Sequence, residues 1–147
     1  GAVVAGLSPE EVEEIFNLRA LVEPEIIKNA VPRMSKEVLD QARAKCSAFS
    51  QSKDPMEWGN LNRDFHETLY SASNLSYFLE IAGNAIDRVE RQIRAQLVMS
   101  NGMERAGREH FAILDACESG EADTAAELTK AHIEGAKKSL LQFLPKA

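Results

Sequence analysis

Trp58-Gly59-Asn60-Leu61-Asn62-Arg63-Asp64-Phe65-His66-Glu67-Thr68-Leu69 is the stretch whose pattern decides the fold. At helical period, Trp58, Leu61, Phe65 and Leu69 make one apolar stripe, and Asn62 and His66, four residues apart, fall on that same stripe. Two polar side chains are therefore aimed at a core. A buried imidazole and a buried amide each cost free energy unless a partner satisfies them, so the remaining helices must supply one.

The chain around this stretch reads as a succession of helices. Ser8-Pro9-Glu10-Glu11 combines a capping Ser, a Pro in the first turn and a Glu that can reach back, and it opens a helix predicted to run to about Val31. Its inward stripe is Val12, Ile15, Arg19, Val22 and Ile26, with Arg19 as the misfit and Pro24 expected to kink it. Pro32-Arg33-Met34 breaks the pattern, and Ser35 caps a second helix to about Phe49. Ser50 to Asp54 is expected as a loop, with Asp54-Pro55 starting the third helix. Asn74 caps a fourth, Leu75 to about Val98, with the stripe Phe78, Ala82, Ile86, Val89, Ile93 and Leu97. A turn at Ser100-Asn101-Gly102 leads to a fifth helix, Glu104 to Glu118, which Ser119-Gly120 ends. A sixth runs from about Ala122 to Phe143 on the stripe Ala125, Leu128, His132, Ala136, Leu140 and Phe143. No alternating strand pattern interrupts this. The reading is all-α: an antiparallel six- to seven-helix bundle with a central ligand pocket.

Composition narrows the function. A chain of 147 residues is one domain by length and large enough for a core. Its 17 basic against 23 acidic side chains leave −6, the wrong sign for binding nucleic acid unaided. No apolar run is long enough for a bilayer and no signal segment is visible, so a cytoplasmic location is expected. Cys46 and Cys117 continue apolar helical stripes (Val38, Leu39, Ala42, Cys46, Phe49; Ile113, Leu114, Cys117), which reads as core packing rather than a disulfide. The start at Gly-Ala-Val-Val, without Met, fits one piece of a longer protein.

All three histidines lie on inward stripes of different helices: His66 on the third, His110 on the fifth (Ala106, His110, Ile113, Cys117), His132 on the sixth. One such residue is ordinarily a core histidine bonded to a neighbour. Three together, with Asn62 one turn before His66, are how helix bundles build metal sites. Imidazole ligands suit zinc, nickel, copper or iron over calcium or magnesium, and the spacing chooses none of the four; zinc or nickel is the expected cofactor. Neutral ligands leave a divalent ion's charge uncompensated, so the site would attract an anion. Arg19 needs an anionic partner because it cannot lose its proton. Glu23, one turn away, and a bound carboxylate are equally good candidates, and both can serve. Of Arg88, Arg91 and Arg94 on the fourth helix, which read mainly as solvated, Arg88 is the candidate for a second effector contact.

The pieces Arg19-Ala-Leu-Val-Glu23-Pro24, Asn62-Arg-Asp-Phe65-His66, Ser73-Asn74, Glu109-His110-Phe-Ala-Ile-Leu114, Ser119-Gly120-Glu-Ala-Asp-Thr-Ala125 and Ala131-His132-Ile133 occur in this order over nearly the whole chain. In that order they resemble the FCD domain, the C-terminal effector-binding domain of FadR-type regulators in the GntR superfamily of bacterial transcription factors. The resemblance implies a pocket in which a carboxylate and three histidines hold a metal ion that helps bind a small organic acid. It carries His66, His110 and His132 over as ligands and Arg19 as an effector contact. It further implies a homodimer and an N-terminal winged helix-turn-helix that binds operator DNA. That domain is absent from this chain, which divides into a linker remnant, 1–7, and an effector-binding and dimerisation domain, 8–147. One position departs: Asn62 stands where the common pattern has Asp, and a neutral amide oxygen is the weaker ligand.

The rival class is a metal-dependent enzyme, because three histidines and an open position can activate water. A hydrolase also needs a general base, and the inward stripes offer no unpaired carboxylate. Glu109 and Glu67 adjoin ligands in sequence, but neighbouring helical residues point about 100° apart. A third reading takes the ion itself as the signal.

Overall fold

A computed structural model describes residues 6–99 and 102–143. Six α-helices follow in order: α1 (Pro9–Ala30), α2 (Lys36–Gln51), α3 (Pro55–Tyr70), α4 (Ser76–Met99), α5 (Gly102–Glu118) and α6 (Ala122–Leu141), with one 3₁₀ turn, Val31–Arg33, after α1. No strand occurs among the described residues. The expected turn at Ser100-Asn101 and the linker residues 1–5 lie outside the described residues.

The local signals act as their chemistry requires. Ser8 Oγ accepts from Glu11 N at 3.1 Å while Ser8 N donates to Glu11 Oε1 at 3.3 Å, so two end groups of α1 are satisfied reciprocally. Ser35 Oγ accepts from Val38 N, and Asp54 Oδ1 accepts from Met56 N ahead of Pro55. Pro24 lies inside α1 without ending it. Gly120, at φ +70°, closes α5: its N–H reaches Cys117 O at 3.1 Å and Glu121 N–H reaches Ala116 O at 2.9 Å. That left-handed turn is the step only glycine takes without strain.

Neighbouring helices run antiparallel. Asn29, at the end of α1, accepts from Asn74 N at the head of α4, while Glu11 at the other end of α1 faces Arg88 farther along α4. Likewise Lys28 meets Asp123 and Lys137 bonds Asn17, which sets α6 head to tail with α1. α1 packs chiefly on α6 and α4, and α2 on α3 and α5. Because α1 is covered from two sides, its buried face is wider than one stripe and takes in Phe16, Ala20, Glu23 and Ile27. The core falls into an Ile26, Phe65, Leu69, Ile113 and Leu114 group, a Val12, Phe16, Val89 and Ile133 group, and a Phe49, Leu97 and Ala106 group. Cys46 and Cys117 are buried and unbridged, and burial pushes their thiols up to about 11 and about 12.

Two stripe positions are corrected. Phe78, in the first turn of α4, is 37% exposed, and Phe143, just beyond the end of α6, is 41% exposed. No described helix is long and apolar enough to cross a membrane.

Candidate metal and effector site

His66, His110 and His132 reach the same interior point from α3, α5 and α6. All three are buried, and one ring nitrogen of each lies within 4.8 Å of the others. Ring centroids are 4.9 Å apart for His66 and His110, and 5.1 Å for the other two pairs. Phe49 and Phe65 each flank His110 at 4.6 Å, so the cluster sits on an aromatic floor that excludes water.

The electrostatics keep the His66 and His110 rings neutral. Burial first, then the neighbouring His132 and Arg19, hold His66 well below its ordinary value; burial, then His66 and His132, do the same for His110. Neutral imidazoles are what a metal ion takes as ligands. Nδ1 of His66 and Nδ1 of His110 are buried with no hydrogen-bond partner, a cost the surrounding protein does not offset. Two nitrogens each about 2.1 Å from an ion can be at most about 4.2 Å apart. A spread of up to 4.8 Å therefore closes with side-chain shifts below an ångström. The donor set fits a transition-metal ion.

The surrounding residues orient the rings. His110 Nε2 and Asn62 Oδ1 lie 2.9 Å apart, so Asn62 does join the cluster. His132 Nδ1 donates to Glu109 Oε1 at 2.9 Å, which fixes the orientation of that ring. Glu109 thus enters the site through α6, although it points away from its sequence neighbour His110. The carboxylate that does reach the cavity is not an unpaired one, since it is engaged by an imidazole.

Arg19 has the Glu23 partner expected of it. Its Nε donates to Glu23 Oε2 at 2.6 Å with the two side chains only 7% and 1% exposed. Tyr70 Oη donates to the other oxygen of Glu23 at 2.7 Å. Arg19 also lines a narrow cavity of about 20 Å³ beside Asn62, Glu109 and His132, walled by Ile93, Gln96 and Leu97 of α4 and by Arg105 of α5. That is room for about one water. Arg88 is not brought to this cavity; its side chain is 62% exposed on the outer face, 4.0 Å from Glu11. Sequence reasoning missed Glu109, Arg105 and Gln96. The i, i+4 pair of Arg105 and Glu109 was the only signal for two of them, and it reads equally well as a solvated ion pair.

A helix bundle that turns three imidazoles and an amide onto one interior point, under a buried arginine, is a domain built to hold a small polar ligand. The FCD domain family model matches residues 14–135, and the chain belongs to that family of regulatory rather than catalytic domains. It is 25% identical, over 154 residues, to a curated protein described as "Uncharacterized HTH-type transcriptional regulator BphR" from Paraburkholderia xenovorans (strain LB400), across 97% of this chain and 62% of that protein. A solved structure, a transcriptional regulator (GntR family member) from Pseudomonas syringae pv. tomato str. DC3000, superposes with a TM-score of 0.85 at 24% identity, over 97% of this chain and 60% of that one. The chain thus spans a little under two thirds of the length of each. The family sets aside the reading of the three histidines as an enzyme.

Proposed function

We propose that this chain is the effector-binding part of a GntR-type transcription regulator, in which a small carboxylate is sensed at a metal-containing pocket. The observation that carries the reading is the convergence of His66, His110 and His132 within 4.8 Å, with Arg19 on the wall of the adjoining cavity. His66, His110 and His132 would hold the ion, with the Asn62 amide oxygen as a neutral fourth ligand. A divalent ion, zinc or nickel by ligand type, would supply positive charge that neutral ligands do not cancel. Arg19, held by Glu23, would orient the carboxylate bidentately, and the aromatic floor would keep out competing water.

Signal transmission belongs to the same reading. A carboxylate drawn between α1, α5 and α6 would favour one arrangement of a homodimer and its winged helix-turn-helix domains on operator DNA. A ligand shifts such an equilibrium only by its differential affinity, so ~100-fold discrimination corresponds to about 2.7 kcal/mol. Calorimetric titration of small carboxylates into metal-loaded and chelator-treated protein tests it. Binding that depends on the ion and is lost in Arg19→Gln is the expected result. No carboxylate binding into the millimolar range refutes it.

A further inference from the structure

We infer that Glu109 is a positioning residue of the metal site: acting through His132, its carboxylate brings to the ion the negative charge that the ligands themselves lack. The inference rests on the proposal that His66, His110 and His132 hold a divalent ion with Asn62. Those four ligands are three imidazoles and an amide, so none of them is an anion. Two carboxylates reach this part of the bundle, and their engagements differ. Glu23 is taken up by Arg19 Nε at 2.6 Å and Tyr70 Oη at 2.7 Å. Glu109 instead accepts from His132 Nδ1 at 2.9 Å and lines the same cavity as His132 and Asn62.

That bond selects the atom that meets the ion. With Nδ1 turned to Glu109, Nε2 is the nitrogen with which His132 would hold a metal. A carboxylate behind an imidazole also raises its basicity as a ligand. His66 and His110 have no such support, since Nδ1 of each is buried without a hydrogen-bond partner. His132 is thus the strongest donor of the three, and it owes this to α5, where Glu109 turns to the α6 imidazole while its neighbour His110 contributes a ring of its own. Arg105, one turn earlier on α5, works against the effect. Its Nε lies 3.8 Å from the same Glu109 oxygen, too far for a hydrogen bond but near enough to offset part of the charge.

The test is competition for zinc between a chromophoric chelator and the wild type, Glu109→Gln and Arg105→Gln, with urea unfolding of each metal-free form beside it. Glu109→Gln keeps an oxygen that can accept from Nδ1 and removes the charge. It should weaken zinc binding by about 10- to 100-fold while the metal-free urea midpoint stays close to that of the wild type. Arg105→Gln should act in the opposite direction, tightening zinc by up to about fivefold, the reach of a partly exposed charge pair. A structural role would not give opposite signs for the two partners of one ion pair. Equal zinc affinity in the wild type and Glu109→Gln overturns the inference alone. So does a metal-free midpoint that falls in step with the affinity, because Glu109 is then structural. Weakening by Arg105→Gln as large as that by Glu109→Gln overturns it too, by assigning the effect to the ion pair. A wild type that binds no zinc removes the metal-site proposal together with this one.

Discussion

Replacing Glu23 by Gln should be among the most destabilising single changes this domain can suffer. The carboxylate is 1% exposed, holds Arg19 at 2.6 Å and accepts from Tyr70 Oη at 2.7 Å. An amide of the same shape keeps the volume but leaves the Arg19 charge buried without a counter-charge. Breaking a buried pair from one side costs about 3–5 kcal/mol. A domain of this size has roughly 5–15 kcal/mol in all, so about a fifth or more of its stability should disappear. At about 2–4 °C per kcal/mol, the midpoint should fall by roughly 6–20 °C. Tyr70→Phe removes one hydrogen bond to a carboxylate that keeps its arginine, and should cost only about 1.5–3 kcal/mol. Urea unfolding of the two variants, with the Arg19→Met, Glu23→Gln double variant closing a cycle, measures these terms. A Glu23→Gln loss below about 1 kcal/mol would refute the reasoning, because Arg19 would then have another counter-charge or enough water.

Further outcomes follow from the same geometry. His66 and His110 are held below their ordinary values when folded, so the unfolded chain binds protons first and acid favours unfolding. Stability of the metal-free domain should be flat above about pH 6.5 and fall below it, by up to about 1.4 kcal/mol per pH unit for each ring; a flat profile from pH 7 to 5 would count against neutral buried rings. Asn62→Asp should tighten zinc or nickel binding by tenfold or more, about 1.4 kcal/mol, because it adds a charged ligand beside His110; competition with a chromophoric chelator reads this directly. Phe65→Ala, at a fully buried position, should cost about 3–5 kcal/mol, whereas Phe78→Ala, at a position 37% exposed, should cost clearly less, about 1–2 kcal/mol, as denaturant midpoints will report.

What the sequence disclosed follows from which interactions are local. The capping of α1 by Ser8 and Glu11 and the closing of α5 at Gly120 involve residues within a few positions of each other, and these were legible. The inward aim of the three histidines was legible too, because helical period alone fixes the face each occupies. Which faces meet depends on how helices are placed against one another. Hence Phe16 and Glu23 escaped a single-stripe reading of α1, whose second side is covered by another helix, while Phe78 and Phe143, expected inside, are partly exposed. Glu109 shows the same limit at the site: it was set aside as turned from its sequence neighbour His110, and its partner proved to be His132, 23 residues on. Arg88 and Arg105 are indistinguishable as sequence, and only the packing of α4 and α5 sends one outward and the other to the cavity.

The central claim is that residues 66, 110 and 132 form one metal site. Metal content of the purified chain after equilibration with zinc or nickel and removal of the excess, compared with His110→Ala treated identically, tests it most directly. The account expects one ion per chain in the wild type and loss of that ion in the variant. A wild type that retains no ion, or a variant that retains as much, would contradict it.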